Sequence, residues 1–224
     1  MNNSFINNKK YLYLITPPNL LTKKLLLKNF LIVLDKVLKT KKVKYLQLRL
    51  KNKKKNQVVN CLKKINFLCK KYKTICFIND FTDNKILNYC DGVHLGQKDL
   101  SKNKIKKILL QKKYLGITCH NSEKFAKRAL EYNPTYISFG SFFNSKTKKI
   151  QYFANLKNIS WFIKKFNVPC AAIGGINIEN CRKLLKTNFR LFAVCSGIWG
   201  YKKGPEIAVK ELYKLINKNE NISK

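Results

Sequence analysis

Short apolar runs recur along the chain, separated by segments long enough to hold helices. They read YLYLIT from Tyr11, YLQLRL from Tyr45, TICFIN from Thr74, GVHL from Gly92, YLGITCH from Tyr114, YISFG from Tyr136, PCAAIG from Pro169 and LFAVCS from Leu191. Each is rich in β-branched and aromatic residues and continuous rather than strictly alternating. That is the pattern of a strand covered on both faces, the parallel-sheet case. Between the runs, apolar positions return at helical spacing: Val58, Leu62, Ile65 and Cys69 in one segment, Leu156, Ile159, Ile163 and Phe166 in another, with lysines opposite. These segments are expected to be helices packed outside the sheet. Alternation of this kind, repeated for eight strands with no low-complexity linker, predicts a single-domain (β/α)8 TIM barrel in preference to an open doubly wound sheet. The barrel is expected over residues 11–217, after an N-terminal extension (1–10) and before a C-terminal tail (218–224).

Composition sharpens this picture without changing it. A chain of 224 residues suits one barrel, which typically needs roughly 250. With 45% hydrophobic residues it can bury a large core, so its many lysines do not imply disorder. Forty-seven Lys plus Arg against eleven Asp plus Glu give a net charge of +36, which raises polyanions as partners. The lysines are spread over the whole chain, however, from Lys9 and Lys10 to Lys164 and Lys165. A solvated basic surface is expected, with weak nonspecific phosphate binding at low salt and no specific nucleic-acid partner. The eight cysteines contain no C-x-x-C pair, and the only histidines are His94 and His120, so no zinc site is legible. Several of the cysteines lie inside apolar runs, as in a reduced cytoplasmic protein. The apolar stretch after Lys10 is only six residues long before Pro17 and Pro18, too short for a signal-peptide core, and no run reaches membrane-spanning length. A soluble protein with no membrane partner is expected; self-association, as a homo-oligomer, is left open.

A barrel directs attention to the C-terminal ends of its strands, where active sites of this fold are built. The second run ends in Gln47, Leu48, Arg49, Leu50 and Lys51, so Gln47, Arg49 and Lys51 share one face at period two. Two cations there fit a phosphate group, or else an exposed strand end. Asn79 and Asp80 end the third run, and the fourth leads to Asp99, in a chain poor in carboxylates. Such oxygen ligands suit magnesium, the alternative being a capping Asp80 and a helix-starting Asp99. After the sixth run, a loop from Gly140 to Lys148 offers hydroxyls and a terminal cation. Gly174 and Gly175 follow the seventh run, ahead of a helix expected to open at Asn177, and Cys195 and Ser196 follow the eighth. Backbone N–H groups in such places build phosphate sites. Trp199 and Tyr201 are read as packing residues, and His94 as a core histidine with its hydrogen bonds satisfied.

The segments QLRLK, INDFTD, DGVHLGQKD, LGITCHNSE, SFFNSKTK, AAIGGI and AVCSGI, in this order and spacing, resemble the thiamine phosphate synthase family over nearly the whole chain. The resemblance implies a magnesium-dependent transferase of thiamine biosynthesis, acting on phosphorylated small molecules. It would join a hydroxymethylpyrimidine pyrophosphate to a thiazole phosphate and release pyrophosphate. By position, Gln47, Arg49, Lys51, Asn79 and Lys148 resemble the pyrimidine pyrophosphate pocket, with Arg49, Lys51 and Lys148 stabilising the leaving group. Asp80 and Asp99 resemble the magnesium ligands. Thr118 stands where the family usually has serine. Ser145, Thr147, Gly174, Gly175, Cys195 and Ser196 resemble the cradle of the thiazole phosphate. Departures are Phe81 where arginine is common, Ser141 and Asn144 at usual prolines, and Ser145 for a usual threonine. His120 lies near a histidine that related thiazole tautomerases use for proton transfer, so a tautomerase is one alternative; a basic RNA-associated barrel without catalysis is another.

Overall fold

In the computed structural model the alternating pattern closes on itself; residues 9–144 and 153–218 are described. Eight parallel strands pair in chain order and the last returns to the first. They are β1 (Tyr11–Ile15), β2 (Val43–Leu48), β3 (Ile75–Asn79), β4 (Gly92–Leu95), β5 (Tyr114–His120), β6 (Tyr136–Phe139), β7 (Cys170–Ile173) and β8 (Leu191–Val194). The ring is sealed where Leu14 of β1 is in register with Leu46 of β2 on one side and Val194 of β8 on the other. Helices α1 (Leu27–Lys39), α2 (Lys55–Lys71), α3 (Asn84–Leu87), α4 (Lys102–Leu110), α5 (Glu123–Leu130), α6 (Leu156–Lys165), α7 (Ser196–Trp199) and α8 (Pro205–Ile216) lie between and after the strands. No helix among the described residues is long and apolar enough to cross a membrane.

The continuity of the apolar runs now has a cause, because each strand buries both faces in different cores. In β1, Leu12 and Leu14 pack toward the helices while Tyr13 and Ile15 point into the ring. Val58, Leu62, Ile65 and Cys69 are all buried in α2, as their spacing predicts. Ile159 and Ile163 are buried in α6, and Phe166 follows that helix in extended conformation, its ring 4.5 Å from Phe162. The helix expected at Asn177 does not form. The side chains of Asn177 and Asn180 each accept the other's backbone N–H at 2.9 Å, and only a 3-10 turn (Cys181–Leu184) follows. Asparagine offers the backbone a local partner that competes with the helical ladder. Trp199 and Tyr201 pack within the chain: the indole N–H donates to the Ile15 carbonyl at 2.7 Å, and the Tyr201 hydroxyl bonds Glu211.

The ring's lower interior is filled by Tyr13, Tyr45, Phe77 and Tyr136, whose neighbouring ring centroids lie 5.5 to 6.3 Å apart. Such pairs add about 0.5–1.5 kcal/mol each beyond the area they bury. They fit because β5 withholds a side chain: a β-carbon on Gly116 would lie 2.3 Å from the Tyr136 ring. Gly116→Ala is therefore expected to overpack the interior and lower the unfolding free energy by about 1–3 kcal/mol. A urea titration checks this, through a lower midpoint at unchanged slope.

Candidate active site

A cavity of about 490 Å³ opens at the C-terminal mouth of the ring, and all eight strands contribute to it. Thr16 follows β1. Gln47 lies on β2, with Arg49 and Lys51 just beyond; Asn79 ends β3 and Asp80 follows it. His94 lies on β4, with Gly96, Gln97, Lys98 and Asp99 after it, and Thr118 and His120 come from β5. Gly140 and Ser141 follow β6, Gly174 and Gly175 follow β7, and Cys195 and Ser196 follow β8. A second groove, of about 670 Å³, lies outside the ring between α1 and α2. Leu31, Ile32, Phe67 and Leu68 dominate its lining, and it holds none of the candidate residues.

Of the residues singled out in the sequence, Gln47, Arg49, Lys51, Asn79, Asp80, Asp99, Thr118, Gly174, Gly175, Cys195 and Ser196 share this one cavity. Ser145, Thr147 and Lys148 lie outside the described residues. The shared face expected for Gln47, Arg49 and Lys51 holds, since all three line the cavity while Leu48 and Leu50 are buried in the outer core, although the strand β2 itself ends at Leu48. Beyond it the Arg49 N–H donates to Thr16 Oγ1 at 3.0 Å, so a side chain of the neighbouring strand end continues the pairing and sets where Arg49 departs.

Gln47, 2% exposed, donates through Nε2 to Asn79 Oδ1 at 2.8 Å, and Asn79 donates in turn to the Asp80 carboxylate. The Gly96 N–H supplies another bond to Asp80, at 3.2 Å. Asp80 sits at φ 66°, a left-handed conformation that Asp tolerates better than most residues and that turns the chain at the strand end. The capping alternative fails for both acids: the cap of α3 is Asp83 and that of α4 is Ser101. Both carboxylates converge beside Gly96, where a β-carbon would lie 3.6 Å from Asp99 Oδ2 and 3.9 Å from Asp80 Oδ1. Burial, with Asp99 beside it, pushes the Asp80 carboxyl above its ordinary range, while Arg49 and the Gly96 N–H act the other way. Lys104 approaches Asp99 at 3.4 Å. Two adjacent, partly buried carboxylates form the hard-oxygen set that a divalent cation relieves of mutual repulsion. Among the described residues there is no cluster of three or more His, Cys, Asp or Glu side chains able to hold a metal. A pair of carboxylates is a ligand set that magnesium accepts, since it usually takes one or two protein carboxylates and completes its shell with water and substrate oxygens.

Gly174 and Gly175 adopt φ of 102° and 65°. A β-carbon at Gly174 would meet Ser141 Oγ at 1.9 Å, and one at Gly175 would meet the Asn144 carbonyl at 2.2 Å. These glycines therefore let the β6 loop close down on the turn after β7, as well as leaving the backbone bare for a ligand. Thr16, His94, Gln97 and Lys98 line the cavity although their residue types and spacing point to no binding role. Their one available signal was position: Thr16, Gln97 and Lys98 follow strand ends, and His94 lies one residue before the end of β4. Gln97 donates to the Thr118 carbonyl, tying the β4 loop to β5. His94 is both a core residue, as expected, and part of the cavity wall. Burial, with Arg49 nearby, pushes its imidazole down to about 4, so it is neutral near pH 7. His120 ends β5 at φ 52°, at a register shift in the β5–β6 pairing, and faces the same cavity.

A protein family described as "Thiamine monophosphate synthase" matches residues 12–198. A "Thiamine-phosphate synthase" of Pelagibacter ubique is 40% identical over 210 residues, covering 92% of this chain and 97% of that protein. A protein of the same description from Rhodospirillum centenum is 31% identical over 205 residues, with coverage of 92% and 97%. Among solved structures, a thiamine phosphate pyrophosphorylase from Pyrococcus furiosus superposes with a TM-score of 0.76 at 25% identity, covering 94% of this chain and 97% of that one.

All eight cysteines are free; seven are buried, and Cys195, on the cavity wall, is half-buried. Burial pushes the Cys195 thiol up to about 11, so little thiolate is present at pH 8. A thiol reagent at pH 8 should label at most Cys195, slowly, in the native protein and all eight cysteines in urea, counted by mass spectrometry. Rapid native labelling of several thiols would contradict this packing.

Proposed function

This chain belongs to the thiamine monophosphate synthase family, and on that footing we infer how its cavity joins 4-amino-2-methyl-5-hydroxymethylpyrimidine pyrophosphate to thiazole phosphate. The protein is a transferase of thiamine biosynthesis, and its substrates are phosphorylated small molecules. The observation that carries the assignment of roles is the convergence of Arg49 and Lys51 with the Asp80 and Asp99 pair in one cavity fed by all eight strands. Cations alone would suit any phosphate, and carboxylates alone any divalent ion. Together they suit a pyrophosphate that arrives with its metal.

In the reaction, the bond between the pyrimidine methylene carbon and the pyrophosphate oxygen breaks, and its electron pair leaves with pyrophosphate. The thiazole nitrogen lone pair then forms the new C–N bond. No protein nucleophile is required. Arg49 and Lys51 hold the negative charge that grows on the departing group, and Lys148 is assigned to the same cluster through the family resemblance. Gln47 and Asn79 are fixed by their mutual hydrogen bond and form the wall for the pyrimidine pyrophosphate. Thr118 completes that wall from β5. Gly174, Gly175, Cys195 and Ser196, with Ser145 and Thr147, are assigned to the thiazole phosphate, and holding it in line is a gain of orientation. Asp80 and Asp99 would hold magnesium, which neutralises charge on the leaving pyrophosphate. The catalytic unit is assigned to residues 11–217. The named relatives favour this reading over a tautomerase or a non-catalytic RNA-associated barrel.

The test is turnover of the two substrates with magnesium, followed as thiamine phosphate and pyrophosphate in equal amounts. Well-folded protein that forms neither would refute the reading. Arg49→Ala should lower kcat by roughly 10²–10³, the usual effect of removing one group that stabilises transition-state charge. Asp99→Ala should move the magnesium titration to higher concentration and abolish the thermal stabilisation given by magnesium plus pyrophosphate. The Tm of the metal-free protein should hardly change, because no core volume is lost. An unchanged magnesium titration would remove Asp99 from the metal site.

A further inference from the structure

Four side chains from four strands form one continuous hydrogen-bonded line through the ring. The Tyr13 hydroxyl (β1) bonds the Tyr136 hydroxyl (β6) at 2.7 Å, and the Tyr136 hydroxyl bonds His94 Nδ1 (β4) at 2.7 Å. His94 Nε2 bonds Thr118 Oγ1 (β5), again at 2.7 Å. Tyr13, Tyr136 and His94 are 2%, 1% and 6% exposed, while Thr118 stands on the cavity wall. The line therefore starts in the sealed half of the barrel and ends where substrate binds.

Such a line can be polarised in two directions, and the closed end decides between them. If Thr118 donated to His94, His94 to Tyr136 and Tyr136 to Tyr13, the Tyr13 proton would need a further acceptor in the sealed interior. The hydroxyl of Tyr13 has one hydrogen-bond partner among the described residues, Tyr136. A buried donor left without an acceptor costs about 1–3 kcal/mol. In the opposite direction Tyr13 donates to Tyr136, Tyr136 to Nδ1, and Nε2–H to Thr118, so every buried proton of the line is placed. Ser138, 1% exposed, also donates to Thr118 Oγ1, at 3.5 Å. Thr118 then accepts from the core side, and its own proton is left to point into the cavity.

We propose that His94, held by Tyr13 and Tyr136, is a positioning residue that makes Thr118 a hydrogen-bond donor toward the bound substrate, and so selects an acceptor atom at that point. This rests on the reading that the cavity takes the pyrimidine pyrophosphate. In that molecule the acceptor is a ring nitrogen or a pyrophosphate oxygen, and the exocyclic amino group, which presents N–H, is refused there. The barrel core thereby contributes to specificity without touching the ligand.

The first test needs no substrate. With two histidines in the chain, 15N-histidine labelling gives two spin systems, and the His120→Gln variant assigns them. His94 should carry its proton on Nε2, with Nδ1 a bare acceptor; an Nδ1–H form, or rapid averaging of the two, overturns the proposal. The second test is a cycle read on KM for the pyrimidine pyrophosphate. Tyr136→Phe and Thr118→Val should each raise KM about tenfold, Thr118→Ser should restore it, and Tyr136→Phe should add nothing in the Thr118→Val background. Losses that multiply would mean that the phenol acts on structure alone and would overturn the role. Direct titration with the pyrimidine alcohol and with inorganic pyrophosphate then identifies the acceptor. Thr118→Val weakens the alcohol if the acceptor is a ring nitrogen and weakens pyrophosphate if it is a phosphate oxygen; weakening of neither overturns the donor. Absence of turnover together with the Nε2–H form would strike the assigned reaction and leave the polarity of the line intact.

Discussion

A ring of eight parallel strands encloses a volume that side chains fill completely unless the sequence withholds bulk at some level. Here the bulk is concentrated at one end. Tyr13, Tyr45, Phe77 and Tyr136 fill the lower interior, and the inward positions further along carry no aromatic side chain but small or polar ones such as Ala193, Thr118, Gly174 and Gly175, beside Ile15 and Ile173. The cavity thus lies where the aromatic packing stops. Because the strands are parallel, their C-terminal ends all open on this one mouth, and residues far apart in the chain meet there with no long loop to carry them.

The mouth has an electrostatic character that the surface does not explain. A net charge of +36 raises phosphate concentration around the whole molecule but selects no position on it. In the proposed reading, position comes from Arg49, whose departure from β2 is set by Thr16, and from the line of amides that ties Gln47 to Asn79 and Asn79 to Asp80. Two of the eleven acidic residues of this basic chain lie side by side against Gly96. Their repulsion is the cost of having them there, and a cation bound together with a polyanion, as proposed, would remove it. Each of the two charged sets thus makes sense in the presence of the other.

The sheet was legible in the sequence because its strands bury both faces: runs as short and as continuously apolar as YLYLIT and TICFIN suit a strand covered on two sides and are too brief for a buried helix. Alternation favours closure over an open sheet without establishing it, and the strand order is seen only in the closed ring. Local geometry was less legible. Arg49 and Lys51 look like strand residues by their spacing, yet β2 ends at Leu48, because pairing there passes from the backbone to Thr16. Asn177 looks like a helix opener, yet its pairing with Asn180 satisfies the backbone another way. Within the site, Gln47, Asn79, Gly174 and Gly175 stood out beside the charged residues, whereas Thr16, Gln97 and Lys98 did not. Thr16 and Gln97 act through single bonds to a neighbouring strand end, and no period in the sequence marks such a bond.

His94 shows why core and site cannot be separated in this fold. Its ring bridges the two interior levels, bonded to Tyr136 below and to Thr118 at the wall. A neutral imidazole has one donor and one acceptor, so the direction of the Tyr13–Tyr136 bond would pass through His94 to Thr118 on the cavity wall. Gly116 belongs to the same arrangement, since its missing side chain is what allows the Tyr136 ring to lie across β5. In the proposed polarity, the aromatic packing that fills the lower barrel therefore also sets which hydrogen-bonding group the upper barrel presents.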